Sequence, residues 1–200
     1  RPIAEIAEEY INPEKSVDNV EDAIKGAMDI LAETISDNAQ YRKQIKRMCF
    51  REAVIVSKAA KEDEKSAYEM YYDFSQTISK VPSHRILAMN RGEKEGFLKV
   101  KVDKPEEKIL DMIQRDIVKD KNSQFASILI ETIEDAYKRL IEPSIERELR
   151  ADLSEKAEEK AIKVFGQNAK QLLMQPPIKG MNVIGFDPAY RTGCKIAVID

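Results

Sequence analysis

Two hundred residues with 42% hydrophobic and 34% charged side chains suffice for one large domain or two small ones with real cores, and seven Gly with eight Pro exclude collagen-like and linker-dominated chains. Lys and Arg number 33 against 36 Asp and Glu, so a net charge of -3 supplies no global field toward nucleic acid or an anionic membrane, and no apolar run nears the roughly 20 residues that cross a bilayer. Cys49 and Cys194 form no C-x-x-C arrangement, which argues against a disulfide framework or a cysteine zinc site and fits a reducing cytosol, while a single histidine, His84, excludes most Ser-His and imidazole-metal chemistry.

The N-terminus shows no basic segment followed by an apolar stretch, so no secretory signal is expected, and the start without Met reads as an excised piece. The first helix is predicted to open at Asp18, with Glu21 completing a capping box, and to present Val20, Ala23, Ile24, Ala27, Ile30, Leu31 and Ile35 to a core. A second cap at Ser36 or Asp37 restarts the pattern through Ile45, Met48, Cys49 and Phe50, with Tyr41 to Arg47 as a basic exposed face, and an αα-hairpin is the simple reading. Ala53 to Ser57 is too short to separate a buried strand from a helical turn. Lys58 to Lys65 fits a solvated helix or a loop, and the aromatic cluster Tyr68, Met70, Tyr71, Tyr72 and Phe74 is read as core rather than as a base-stacking platform.

Pro82 and Ser83 are predicted to cap a helix carrying Ile86, Leu87 and Met89, which Gly92 and Gly96 end. Phe97 to Val102 alternates apolar and basic residues as a half-buried strand does, and Lys104-Pro105-Glu106-Glu107 starts a helix with acids in its first turn. After Asn122 and Ser123 a clear amphipathic helix runs from Phe125 to Ile141 and is expected to close near Pro143. The next stretch spaces Ile145, Leu149, Leu153, Ala157, Ala161 and Phe165 four apart, so the stripe advances about 40° per step and a long spine helix must face successive neighbours. Gln175-Pro176-Pro177 breaks the helix; beyond it Met181 to Phe186 and Cys194 to Ile199 read as strands around a turn.

Two segments could carry function. Between His84 and Lys104 stand six Lys and Arg (85, 91, 94, 99, 101 and 104) against three acids, a local surplus able to contact phosphate. The alternative is that Arg85 and Arg91 pair with acids of neighbouring helices and the lysines are solvated strand residues. In the second segment, Asp187 ends a first strand before a glycine-bearing turn and an antiparallel partner, as at the start of RNase H-like folds, where such an acid can bind a catalytic metal. One carboxylate is no two-metal site, and acceptance of backbone amides in the turn is the plainer role for Asp187.

Ser83-His84-Arg85-Ile86-Leu87-Ala88-Met89-Asn90-Arg91-Gly92-Glu93-Lys94-Glu95-Gly96, Asp135-Ala136-Tyr137-Lys138-Arg139-Leu140 with Pro143-Ser144, and Gly185-Phe186-Asp187-Pro188 through Arg191-Thr192-Gly193 closely resemble the bacterial Tex transcription-accessory proteins over essentially the whole chain. The resemblance implies a mainly α fold: a multi-helix region with a long spine helix and a short β segment at 1–175, a linker at 176–182, and at 183–200 the first β-hairpin of a truncated RNase H-like α/β domain of the YqgF kind. It implies a cytoplasmic protein that binds RNA or DNA, mainly through helix-hairpin-helix and S1 modules outside this chain, and acts on transcription. The family's Asp-Pro-Gly stands here as Asp187-Pro188-Ala189, which weakens a nuclease role. The expectation is a scaffold for nucleic-acid-binding modules with no cofactor, catalytic residue or bound metal, in which Arg85, Arg91, Lys94, Lys99 and Lys101 touch phosphate. The rivals are a metal-dependent nuclease using Asp187 and a module that docks RNA polymerase or the elongation machinery.

Overall fold

The structure is a computed structural model and describes residues 2–61, 65–176, 179–189, 191 and 193–199. The chain divides into two compact units, residues 1–161 and 162–200. It is mainly helical. Among the described residues, no helix is long and apolar enough to cross a membrane.

In the first unit, α1 (Ile3–Glu8) precedes α2 (Val20–Asp37) and α3 (Ala39–Glu52). The capping box forms one residue later than expected. Asn19, extended at φ -151°, accepts from the Asp22 amide at 2.9 Å, and Asp22 Oδ2 accepts from the Asn19 side chain and the Asp18 amide. Likewise Asn38, rather than Ser36 or Asp37, starts α3: its Oδ1 accepts from the amides of Gln40 and Tyr41. A single residue therefore separates the two helices. In place of an αα-hairpin they make a corner, α2 lying chiefly against α6 (Ala126–Asp135) and the turn after it, α3 against α5 (Glu106–Ile117) and the turn Ile78–Lys80.

The Ala53–Ser57 segment, open between strand and helix on sequence alone, becomes β1 (Val54–Ala59), the central strand between β2 (Asp73–Thr77) and β3 (Leu98–Asp103), all antiparallel. Ile55, Ser57, Leu98, Val100 and Val102 are buried on one face, and Lys58, Lys99 and Lys101 are exposed on the other. Tyr71 is buried with the Phe74 ring edge-on at 5.7 Å, and Tyr68 and Tyr72 pack on the core, so the aromatic cluster is structural; Met70 alone turns outward. Residues 62–64 of the Lys58–Lys65 stretch lie outside the described residues.

α4 (Ser83–Lys94) packs on β3. Pro82 precedes it and Ser83 makes no capping bond, so the expected serine cap is absent and the rigid proline sets the start. The helix ends in a Schellman motif: the Phe97 amide donates to Gly92 O and the Gly96 amide to Glu93 O, with Gly96 at φ +83°. Gly92 sits inside the helix rather than ending it, because β3 comes too close for a side chain. A Cβ there would lie 2.6 Å from Leu98 Cδ1 and 3.0 Å from Tyr68 Cγ. Gly92→Ala is expected to lower stability by about 1 kcal/mol, overpacking outweighing the gain in helix propensity; a rise in the urea midpoint would refute this close packing.

α5 buries Ile109 and Ile113. α6, a π-helical turn over 136–141 and α7 (Glu142–Leu173) then form one unbroken rod, every junction residue being right-handed helical. The expected stop at Pro143 does not occur. Proline has no N–H to donate and its ring crowds the carbonyl of Arg139; the wider turn just before it relieves both problems without ending the helix. Tyr137, Ile141 and Ile145 are fully buried here, and Leu149 and Ala157 continue the stripe, whereas Ala161 and Phe165 are exposed.

The second unit comprises the end of α7 and the antiparallel hairpin of β4 (Val183–Asp187) and β5 (Lys195–Ile199), in register from Val183 opposite Ile199 to Asp187 opposite Lys195. Pro177, Ile178, Tyr190, Thr192 and Asp200, which figure in the expected linker and strand-turn-strand segment, lie outside the described residues.

Candidate nucleic-acid interface

Charged side chains along the rod hold the first unit together. Arg42 donates to Ser144 Oγ at 2.7 Å and pairs with Glu148; Lys46 reaches Glu148 at 3.3 Å and Asp152 at 3.0 Å; Lys156 lies 5.1 Å over the Phe50 ring. Positions 42, 46 and 50 of α3 thus climb in parallel with 148, 152 and 156 of α7. The expected basic exposed face of α3 is correspondingly reduced: Arg42 and Lys46 are engaged by α7 and the Tyr41 hydroxyl donates to Asp116, while Lys43 and Arg47 stay exposed. The hydroxyl is pushed up to about 12 by burial and by that carboxylate.

Burial works to raise the Glu148 carboxyl, yet Arg42 and Lys46 outweigh it and hold the group below its ordinary 4.5. The folded chain therefore binds this proton less tightly than the unfolded chain. The stabilisation is present above pH 4.5 and is lost as pH falls through the depressed value, so Glu148→Gln is expected to flatten the acid limb of a plot of urea midpoint against pH.

The basic segment is clamped in the same way. Arg150 of α7 pairs with both oxygens of Glu93 and donates to Val100 O at 3.0 Å; the Val100 amide returns to Glu93 Oε1 at 3.2 Å; and Asn90 donates to Ser154 Oγ at 2.7 Å. Lys104, one of the six cations of the basic stretch, has a side chain only 2% exposed, with Nζ 2.6 Å from Glu146, 3.3 Å from Glu142 and donating to Val102 O. It is a structural ion. Beside it, burial pushes the Cys49 thiol up to about 11, against the pull of Lys104.

The remaining cations divide between two surfaces. Arg85 is half-buried, its guanidinium 5.3 Å over the Phe74 ring, and donates weakly to Gln76 at 3.4 Å. Arg91 and Lys94 are exposed on the last turns of α4. Lys99 and Lys101 point to the sheet face opposite the one that meets α4, since Leu98, Val100 and Val102, which alternate with them, are buried. Lys101 lies 3.6 Å from Asp103. Strand register adds a residue that sequence reasoning misses: Lys58 stands directly opposite Lys99. Only the pairing of β1 with β3 reveals it. Neither lysine has an ion pair among the described residues, although Asp73 lies across from Lys58 on β2.

Asp187 is exposed at the end of β4. Among the described residues, no group of three His, Cys, Asp or Glu is placed to hold a metal.

A family profile described as Tex central region-like matches residues 2–165. The chain belongs to the Tex family. It is 51% identical to the YdcI protein of Bacillus subtilis over 201 residues, 99% of this chain and 28% of that protein. It is 35% identical to the protein Tex of Bordetella pertussis, covering 98% of this chain and 27% of the relative, and 32% identical to human S1 RNA-binding domain-containing protein 1, covering 95% and 21%. The chain thus spans about a quarter of the length of these relatives. The segments that resemble the family can be assigned physical roles: Asn90, Gly92, Glu93 and Gly96 lock α4 to β3 and α7, while Asp135 and Asp29 hold Arg139 in the π turn and Ser144 accepts from Arg42.

Proposed function

We propose that this chain is the helical middle of a transcription accessory protein, a rigid frame that holds nucleic-acid-binding modules and adds phosphate contacts of its own. On this reading residues 1–175 are the frame and residues 183–200 begin a YqgF/RNase H-like domain. Support comes from two relatives: one, 31% identical, is the transcriptional accessory protein Tex of Neisseria gonorrhoeae, and the human relative carries an S1 RNA-binding domain in its name. The observation that carries the contact surface is the Lys58–Lys99 pair. Like charges directly across a strand pair are unfavourable, and an anion seated between them turns that repulsion into attraction. Lys101 extends this surface, Arg91 and Lys94 form a second at the end of α4, and Arg85 adjoins through Phe74. The clamp on Glu93 removes one of the two acids of that helix end from competition, and the Tyr68 hydroxyl donates to the other, Glu95.

The function is binding rather than turnover, with no cofactor, in the cytoplasm, and the partners are RNA or DNA within the transcription machinery. The test is anisotropy of labelled single-stranded RNA and duplex DNA with the longer protein over a salt series, with and without the lysine pair. Unchanged affinity and unchanged salt slope on both nucleic acids would refute the surface.

A further inference from the structure

The side of α3 that turns away from its neighbours is cationic. Ile45 and Cys49 point into the core, Arg42 and Lys46 turn toward α7, and Tyr41 and Met48 toward α5. Lys43 and Arg47 each stand two residues from Ile45, about 200° around the axis, so they project away from all three contacts and are exposed. Arg51 follows one turn on, giving exposed cations at i, i+4 and i+8. The acids that face α3 from α5 and α7 are engaged elsewhere: Glu148 and Asp152 by Arg42 and Lys46, Asp116 by the Tyr41 hydroxyl and Lys119, and Asp111 by Arg115. Glu52, the one acid of α3 itself, is shared by Arg51 and Lys108. No ion pair among the described residues includes Lys43 or Arg47.

Phe50, expected in the core, lies beside this row one turn beyond Arg47, 47% exposed, with Lys156 of α7 over its ring at 5.1 Å. The other positions of the face are the exposed Gln40 and Gln44, so no second apolar side chain is there to anchor a docked protein helix. Cations without counter-ions around one open aromatic ring match what a strand with an unstacked base requires. We propose that this face of α3 binds single-stranded nucleic acid, its phosphates on Lys43, Arg47 and Arg51 and one base stacked on Phe50. An exposed cation–π contact is weaker than base–aromatic stacking, so the base displaces the Lys156 head, which becomes a fourth cation for the backbone. A duplex keeps its bases stacked on one another and gains nothing from Phe50. The proposal rests on the reading of this chain as nucleic-acid-binding and adds to it a separate site with a preference for single strands.

The probe is a short fluorescein-labelled oligo-dT titrated with this chain over a salt series, beside a duplex of the same length. Lys43→Gln with Arg47→Gln should weaken single-strand binding at least about tenfold at low salt and make the slope of log K against log salt shallower by about 1.4. Phe50→Leu should weaken it about fivefold or more with the slope unchanged, and leave the duplex unaffected. Urea midpoints of these variants should match that of the parent chain, since the replaced groups face solvent. Unchanged single-strand affinity in both variants overturns the proposal, as does a Phe50→Leu variant that weakens duplex and single strand alike. So does poly-glutamate that displaces the strand at equal charge concentration, which would make an acidic protein segment the occupant. Lys58→Gln with Lys99→Gln keeps the two surfaces apart: a loss of single-strand binding confined to that variant overturns the α3 site and upholds the sheet surface, and a loss confined to the α3 variants supports the α3 site. A chain that binds neither nucleic acid overturns both.

Discussion

Arg150→Met should lower stability by about 3 kcal/mol, since the truncation leaves a part-buried Glu93 carboxylate with the Val100 amide but no counter-ion, and the Val100 carbonyl without its side-chain donor. The figure lies at the low end for a broken ion pair because Arg150 and Glu93 keep 25% and 35% of their side-chain surfaces in solvent. For a chain of this size the loss corresponds to a fall of about 9 °C in Tm. Methionine retains the aliphatic stem, so the effect isolates the guanidinium. Adding Glu93→Gln should recover part of the loss, because an unpaired amide is cheaper to bury than an unpaired carboxylate. Urea midpoints of the two single variants and the double variant measure the coupling; additive losses would show that the Arg150–Glu93 pair does not couple α4 and β3 to the rod.

Lys58→Gln with Lys99→Gln should separate binding from folding. Removing two like charges that face each other across a strand pair should leave stability unchanged or raise it by a few tenths of a kcal/mol. Affinity for duplex DNA should fall, and the slope of log K against log salt should become shallower by about 0.9 for each phosphate that is no longer neutralised, or by about 1.8 if both lysines engage. Lys138→Glu, on the exposed side of the rod, serves as the control and should change neither. If the slope instead responds to Arg91→Gln with Lys94→Gln, the phosphate belongs to the end of α4 and the sheet face is bystander surface.

Periodicity locates the helices well because their apolar stripes are long, but it places the starts of α2 and α3 one or two residues early, Asp and Ser competing with the asparagines that bind the amides. β1 is undecidable locally because five residues hold too little pattern; pairing on both edges, absent from any local window, decides it. Alternation in β3 is legible and gives Lys99 and Lys101 their exposure, yet no local pattern shows that Lys58 stands beside them. Lys104 resembles its neighbours in the basic stretch, and only Glu142 and Glu146, some forty residues later, convert it into a buried ion. The i, i+4 spacing of Arg42 and Lys46 on one helix and Glu148 and Asp152 on another is plain in the sequence, but a spacing becomes a ladder only when the two helices run side by side.

Pro143 looks like a terminus because the rule about prolines assumes an α-helical turn before it. The widened turn over 136–141 does more than spare the helix. Each residue of an α-helix advances about 100° around the axis, so one extra residue in that turn sets the azimuth of everything downstream. Deleting a residue there would swing Glu148, Arg150 and Asp152 by more than a quarter revolution away from Arg42, Glu93 and Lys46 together. The bulge is thus a mechanical phase shifter, and the rod's attachment to two different neighbours depends on its angular setting.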